Sequence, residues 1–405
     1  MLKGKHILVG ISGGIAAYKI PELIRLFVQE GAEVKVTTTK NALEFVTPLT
    51  LQTLSGYPVY SDVFAAINEH STEHISLPDW ADVMVVAPAT ANVLTKLHAG
   101  IADDALTTTC CAMRKPIVIA PAMNDKMYAN PATQTAIDEL AKRDNILMLD
   151  CDNGFLACGT AGKGRMQSIQ SIAQAVRTAL TPQDLSGKNV LITAGPTIEH
   201  IDPVRFISNH STGKMGYALA ADCMRRGAHV TLISGPVNID LPRFDAITPC
   251  GSINRIDVQS AQQMYDAALP AFENADVAIL CAAVADFRAV EVAEHKIKKA
   301  HGQTSCTLEL TVTADIAKAL GERKRANQTL VGFALETDNE QVNAQHKLQS
   351  KNLDYIVLNS LRDTGAGFGC DTNKVTVYSA SGSQKNIPLM SKEDISHLII
   401  NECIS

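Results

Sequence analysis

Two groups of residues in this 405-residue sequence carry side chains that could do chemistry. The first begins at Ser12-Gly13-Gly14, where a short apolar run ends in a Gly turn that opens a helix. Backbone N–H groups exposed at such a turn suit a phosphate. Thr37, Thr38 and Thr39 end the next apolar run and could give hydroxyl donors to the same ligand. The turn Ala87-Pro88-Ala89-Thr90-Ala91-Asn92 is built of small residues, which let a flat ligand approach the backbone. A further strand runs into Pro121-Ala122-Met123-Asn124-Asp125-Lys126-Met127-Tyr128. His74 stands alone in a polar stretch, where a histidine is more often structural or merely exposed. Gly154 to Met166 holds four Gly in thirteen residues, with Cys158 near its middle and Arg165 near its end. That density disfavours a regular element, so a mobile loop is expected. A Gly-rich loop carrying Cys and Arg fits a lid, and a plain surface loop with an unreactive thiol is the alternative.

The second group lies beyond residue 200. Asp202 to Gly216, with Arg205, Asn209 and Lys214, is dense in groups that grip anions. Ala282-Ala283-Val284-Ala285-Asp286-Phe287 leads on to His295-Lys296-Ile297-Lys298-Lys299. Alone, that basic run is a solvated face. Beside Asp286 and the Asn/Ser/Lys loop it fits a triphosphate site, with Asp286 near a Mg²⁺ ion. The Walker-type phosphate loop is absent from the sequence, so an ordinary P-loop NTPase is excluded.

The elements that must position these groups read as strand–helix–strand units, the unit of a parallel sheet. The turns fall at strand C-terminal ends, the edge where open parallel sheets bind ligands. Polar Thr181 to Gly187 precedes a new apolar run at Val190 to Ala194, and the strand–turn–helix plan starts again. The expectation is α/β: two three-layer domains with largely parallel sheets, a flavodoxin-like one over 1–180, a linker over 181–188 and a Rossmann-like one over 189–405. Hydrophobic content of 46% supplies both cores. A net charge of -6 argues against a nucleic-acid partner. No apolar run approaches the ~18 residues of a membrane span. The ten Cys are scattered without a CxxC pair, which argues against zinc and a disulfide framework and for a reducing cytoplasm.

The motifs of the first half together resemble the flavin-dependent cysteine decarboxylases: Ser12 to Lys19, His74, Ala87 to Asn92, Pro121 to Met127, Ala157-Cys158-Gly159 and Gly164-Arg165-Met166. With the second half included, the chain resembles the bacterial fusions of phosphopantothenoylcysteine decarboxylase with phosphopantothenate–cysteine ligase in coenzyme A biosynthesis. That resemblance runs through Arg205 to Gly216, Ala282 to Phe287, Lys296 to Lys299 and Gly332-Phe333-Ala334-Leu335-Glu336-Thr337, to about Lys374. The family's aromatic after the PxMNxxM motif is often Trp and is Tyr128 here.

For the first half the resemblance implies an FMN cofactor held by Ser12, Gly13, Gly14, Thr39, Pro88, Ala89, Thr90, Ala91 and Met123. Flavin chemistry would oxidise the substrate thiol, so that carbon dioxide leaves into an enethiolate. Cys158 would be the proton donor. Asn124 would hold the substrate carboxylate, with Arg165 and Met166 beside it. His74 would assist proton transfer or orient the substrate. Met123 and Met127 are expected to pack rather than react.

For the second half it implies CTP and Mg²⁺. 4′-Phosphopantothenate would be activated as an acyl-cytidylate, and the amine of L-cysteine would displace CMP. Lys296 would neutralise developing phosphate charge. Asn209 would stabilise the acyl-cytidylate or its breakdown. Arg205, Leu280, Cys281, Ala282, Asp286, Thr313, Ala314, Asp315, Ile316, Phe333, Lys347 and Lys351 would contact substrates, with Asp286 the metal residue. The family usually carries Lys-Asn-Pro before Asp315-Ile316, and here Val312-Thr313-Ala314 stands there. Thr313 is expected to cap the following helix as Asn would. Cys281 and Cys306 are expected to pack in strands. The implied assembly is a homo-oligomer, with decarboxylase trimers and ligase dimers.

Two other functions are compatible with parts of this pattern. A paralogue could use the flavin site on a peptidyl cysteine, which the fused second half argues against. A non-catalytic flavoprotein could share the sheet, but would need no Cys on a lid.

Overall fold

The computed structural model describes residues 2–64, 72–155, 159, 161–241, 251–298, 304–336, 338–360, 367 and 369–404. Two compact units divide these, the first ending at Pro182 and the second starting at Gln183.

The first unit contains β1 (His6–Ile11), β2 (Glu33–Thr38), β3 (Val59–Tyr60), β4 (Val83–Ala89), β5 (Ile117–Pro121) and β6 (Ile146–Met148) in one sheet, and β7 (Asp152–Phe155) and β8 (Ala161–Arg165) in a separate hairpin. The sheet order is β3-β2-β1-β4-β5-β6, and every pairing is parallel. Apolar residues alternate across it. Ile7, Val9, Val85 and Val118 face the helices Ile20–Gln29 and Ile169–Ala179. Leu8, Met84, Val86 and Ile119 face Ala91–Ala99, Ala105–Ala112 and Pro131–Ala141. Burial on both faces is why these strands read as continuous apolar runs. The order reverses between β1 and β4, which opens a crevice at their C-terminal ends.

The second unit contains β9 (Asn189–Ala194), β10 (Ile198–His200), β11 (Phe206–Ser208), β12 (His229–Ser234), β13 (Ser252–Asp257), β14 (Val277–Leu280), β15 (Phe287–Ala289), β16 (Leu310–Val312), β17 (Thr329–Glu336), β18 (Tyr355–Ser360), β19 (Thr372–Ser379) and β20 (Gln384–Ser391). Eight strands form the sheet β13-β12-β9-β14-β17-β18-β19-β20, parallel up to β18 and antiparallel beyond. Helices Lys214–Arg225 and Lys392–Ile404 cover one face over Ile192, Leu232 and Ile279. Ala261–Glu273, Ile316–Arg323 and Glu340–Ser350 cover the other over Leu191, Ala278 and Leu330.

The polar stretch before β9 is docked rather than loose. Gln183 Nε2 donates to the Arg225 carbonyl at 2.7 Å, and the Leu185 N–H to the Arg226 carbonyl at 3.1 Å. Leu185 is buried, and the buried Arg226 guanidinium is paired with Asp184. No helix among the described residues is long and apolar enough to cross a membrane.

Candidate active sites

The first unit's crevice is organised by Ser12. This fully buried side chain donates to the Pro88 carbonyl at 2.6 Å and accepts from the Thr90 N–H at 3.1 Å. It therefore locks the end of β1 to the turn after β4, where the strand order reverses. Gly13 is required beside it, since a Cβ there would lie 2.5 Å from Asn41 Cβ. The helix expected to open at this Gly turn begins with a 3-10 turn, Ile15–Lys19, whose start at Gly14 has no side-chain cap.

These parts open onto a cavity of about 1020 Å³. Gly13, Gly14, Thr39, Thr90, Met123, Asn124, Arg165 and Met166 line it, as expected of binding residues. Ser12, Pro88, Ala89 and Ala91 do not line it; the first three are buried. The Oγ1 atoms of Thr37, Thr38 and Thr39 are buried and have no partner among the described residues. Of these three only Thr39 lines the cavity; its orphaned hydroxyl, an uncapped helical start and a glycine-lined wall fit a planar ligand with a phosphate tail, as FMN is.

Asn124 caps the short helix Asp125–Tyr128, accepting from the Lys126 N–H at 2.9 Å, and this fixes it at the cavity wall. Met127 is half exposed and lines the cavity, against the expectation that it packs, because this one-turn helix presents only Tyr128 to the core. His74 lies in the helix Glu73–Trp80 and does not line the cavity; its Nδ1 is buried without a partner among the described residues. Cys158 lies outside the described residues, as do Ala157, Lys299 and Thr337.

The flanks of the Gly-rich segment are not a loop but the hairpin β7–β8. Its glycines permit close approach rather than disorder. A Cβ on Gly162 would meet Asp125 Cβ at 2.8 Å, and one on Gly164 the Met123 carbonyl at 2.4 Å. Asp150 ties the hairpin to the same helix, pairing with Lys163 at 2.6 Å and accepting from the Tyr128 hydroxyl at 2.6 Å.

The second unit holds a cavity of about 650 Å³ at the C-terminal ends of β9, β14 and β17. It brings together Leu280, Cys281, Ala282, Asp286, Thr313, Ala314, Asp315, Ile316, Phe333, Lys347 and Lys351. The loop after β14 is pinned from below, since the Ala282 and Ala285 N–H groups donate to Thr193 Oγ1 and Thr197 Oγ1. Thr313 does not cap the next helix. Its hydroxyl donates to the Ala285 carbonyl at 2.6 Å, and Asp315 caps instead, accepting from the Lys318 N–H at 3.0 Å. A carboxylate two residues closer to the helix is the better-placed acceptor. Lys351 pairs with Asp315 at 3.1 Å and Lys347 with Glu336 at 2.7 Å.

Arg205, Asn209 and Lys296 do not line this cavity. Asn209 stands beside it, donating to the Ala283 carbonyl at 2.9 Å. Arg205 pairs with the fully buried Asp202 and donates to the Ile297 carbonyl. Asp202 also accepts from the Ile297 N–H at 3.1 Å, so it anchors the loop that carries the exposed Lys296. The Arg205 guanidinium outweighs burial and holds the Asp202 carboxyl well below the usual carboxylate range. Cys281 is half-buried and lines the cavity, and Cys306 is exposed outside any strand, so neither packs in a strand as expected. Burial pushes the Cys281 thiol up to about 12, away from the thiolate form. Among the described residues no group of three His, Cys, Asp or Glu could hold a metal by itself. Asp286 lines the cavity, and Mg²⁺ bound there would need further ligands from outside the protein.

A family model described as "Flavoprotein" matches residues 1–181, and one described as "DNA/pantothenate metabolism flavoprotein C-terminal domain" matches 185–405. The coenzyme A biosynthesis bifunctional protein CoaBC of Bacillus subtilis is 48% identical over 99% of this chain and 97% of its own. The chain belongs to the family of coenzyme A biosynthesis bifunctional proteins. Two solved structures are similar to parts of this chain. The C-terminal domain of a CoaBC is 40% identical over 54% of this chain and 94% of its own, with a TM-score of 0.44. A PPC decarboxylase mutant complexed with pantothenoylaminoethenethiol is 34% identical over 43% of this chain and 97% of its own, with a TM-score of 0.40.

Sequence reasoning missed the anchoring roles of Asp150 and Asp202, and missed Lys392 in the second cavity. Asp202 precedes a Pro at a polar turn, a signal for structure. Asp150 and Lys392 carry no local signal, because tertiary contacts alone define them.

Proposed function

We propose that this chain makes 4′-phosphopantetheine in two steps, by CTP-dependent ligation in the second unit and FMN-dependent decarboxylation in the first. The observation that carries this is the full-length match to bifunctional relatives, combined with a separate cavity in each unit built from that family's motifs.

In the ligation, a carboxylate oxygen of 4′-phosphopantothenate attacks the α-phosphorus of CTP. The bond to pyrophosphate breaks, and its electron pair leaves on the pyrophosphate oxygen. Asp286 would hold Mg²⁺, which would supply positive charge toward the phosphates, and Lys296 neutralises the charge that develops. The amine of L-cysteine then attacks the acyl carbon, CMP leaves, and Asn209 beside the Ala283 carbonyl steadies this breakdown. Lys347, Lys351 and Phe333 hold the nucleotide.

In the decarboxylation, Asn124 holds the substrate carboxylate at the cavity wall. Arg165 and Met166 close the cavity from β8 and its end. Bound FMN supplies the two-electron acceptor that lets carbon dioxide leave without an unstabilised carbanion. Cys158 returns the proton and His74 assists from its helix. The protein works in the cytoplasm as a homo-oligomer, through trimers of the first unit and dimers of the second.

The test is the visible spectrum of the purified protein, followed by CTP-dependent release of pyrophosphate. Flavin bands and FMN released on denaturation are expected. Cys158→Ser should keep the flavin and lose 4′-phosphopantetheine. A colourless protein that takes up no FMN would overturn the decarboxylase half, and an absence of CTP-dependent pyrophosphate the ligase half.

A further inference from the structure

Lys392 opens the last helix, 41 residues beyond Lys351, the last of the expected ligase-site residues, yet it lines that cavity and is only 8% exposed. Its ammonium group donates to the Cys370 carbonyl at 2.6 Å and the Gly367 carbonyl at 3.3 Å. No carboxylate lies within ion-pair reach of it among the described residues. The other cavity lysines with ion pairs differ in this respect: Lys347 has Glu336, Lys351 has Asp315, and Lys214 has Asp371. Burying an ammonium against neutral carbonyls alone is costly.

A second positive group stands close by. Lys214 lines the same cavity and grips the same short segment, through the Gly369 carbonyl at 3.2 Å and Asp371 at 2.7 Å. Burial, and then repulsion from Lys214, lowers the Lys392 ammonium from its ordinary value. Lys214 also begins a twelve-residue helix whose start at Gly213 has no side-chain cap, and Gly213 to Gly216 line the cavity. An uncapped helix start adds partial positive charge to the same wall. Two lysines and a helix start without a compensating buried carboxylate match a multiply charged anion.

We propose that Lys392, with Lys214 as its neighbour, binds the part of the nucleoside triphosphate that leaves as pyrophosphate. The inference rests on the ligase reading above and assigns the residues that receive the leaving group. When the substrate carboxylate displaces pyrophosphate from the α-phosphorus, the bridging oxygen gains the bond's electron pair, and Lys392 faces that growing charge. Nucleotide identity is read elsewhere in the cavity, at Phe333 and Lys347, so the lysine pair recognises phosphate rather than base.

The test uses the full chain carrying Lys392→Met, Lys392→Arg or Lys214→Met. Inorganic pyrophosphate is the probe, as an inhibitor of ligation and by direct calorimetric titration. Decarboxylation of supplied 4′-phosphopantothenoylcysteine and the melting temperature are followed in parallel. Loss of one charge-assisted contact should weaken pyrophosphate binding and raise KM for CTP about tenfold or more. KM for 4′-phosphopantothenate should stay within about twofold, and Lys392→Arg should recover much of the loss. Unchanged pyrophosphate affinity in Lys392→Met and Lys214→Met would overturn the proposal. So would an equal fall in all kinetic constants with a lowered melting temperature, since that marks a purely structural lysine. A wild-type chain that binds pyrophosphate through Lys392 but forms no acyl-cytidylate would overturn the ligase reading and leave the anion site standing.

Discussion

Met123 and Gly164 meet backbone to backbone: the Met123 N–H donates to the Gly164 carbonyl at 2.9 Å, and Gly164 holds a φ of +154° with no space for a Cβ. This contact joins the hairpin β7–β8 to the residue that precedes Asn124. A side chain at 164 would have to push the hairpin away from the cavity wall. Gly164→Ala should therefore cut decarboxylation by about 100-fold, the cost of displacing reacting groups by roughly 1 Å. Flavin retained on the column and ligation should both stay near wild type. Full decarboxylation by Gly164→Ala would show that the hairpin contact does not position the substrate.

The Tyr128–Asp150–Lys163 cluster makes a pH prediction. Burial alone would raise the Asp150 carboxyl, but the bonds from Lys163 and Tyr128 outweigh it and hold it below the usual range. A carboxyl depressed in the folded state stabilises above its unfolded value of about 3.9 and loses that effect as pH falls through the folded value. Asp150→Asn should thus melt earlier than wild type at neutral pH, with the gap closing below about pH 4. A gap that persists unchanged in acid would assign the loss to packing instead.

Arg226 makes a stability prediction for the second unit. The guanidinium is buried between Asp184 and Asn401, and Asp222 lies 3.9 Å away with no exposure. Arg226→Met should destabilise this unit by about 3 kcal/mol, toward the low end for a broken buried pair because Asp184 is partly exposed. Scanning calorimetry should show the ligase transition moving down with ligation, while flavin release on heating is unaffected. A shift below ~1 kcal/mol would mean that water enters and replaces the pair.

Asp202 links the two loops that carry Arg205 and Lys296 in the proposed ligation. It accepts from the N–H groups of Val204, Arg205 and Ile297 and pairs with the Arg205 side chain. Asp202→Ala should lower CTP-dependent pyrophosphate release about 100-fold by letting the Lys296 loop drift. Decarboxylation of supplied 4′-phosphopantothenoylcysteine should be spared. Unchanged ligation would show that Lys296 is placed by other means.

The parallel sheets were legible because buried strands leave uninterrupted apolar runs, such as Val83 to Ala89, which ends at a turn of small residues. The residues of the second cavity were legible through the family resemblance rather than through this pattern: Leu280 to Ala282 sit where β14 ends, but Phe333 lies within β17. The hairpin around Gly162 and Gly164 was not. Glycine density reads as freedom in a sequence, whereas here it permits contact with Met123 and Asp125. Thr313 misled because a threonine before a helix resembles a cap, and only the structure shows its hydroxyl turned to the Ala285 carbonyl. Lys392 was invisible because its meaning comes from carbonyls at 367 and 370 and from Lys214.

The most direct test of the central claim is to give the purified full chain 4′-phosphopantothenate, L-cysteine, CTP and Mg²⁺ and identify the products by mass spectrometry. The account predicts 4′-phosphopantetheine together with CMP and pyrophosphate. Cys158→Ser should stop the sequence at 4′-phosphopantothenoylcysteine or at an oxidised product derived from it, and Lys296→Gln should stop it before cysteine is joined. Failure of the wild-type chain to form phosphopantothenoylcysteine, or to decarboxylate it when supplied, would contradict the claim that one chain performs both steps.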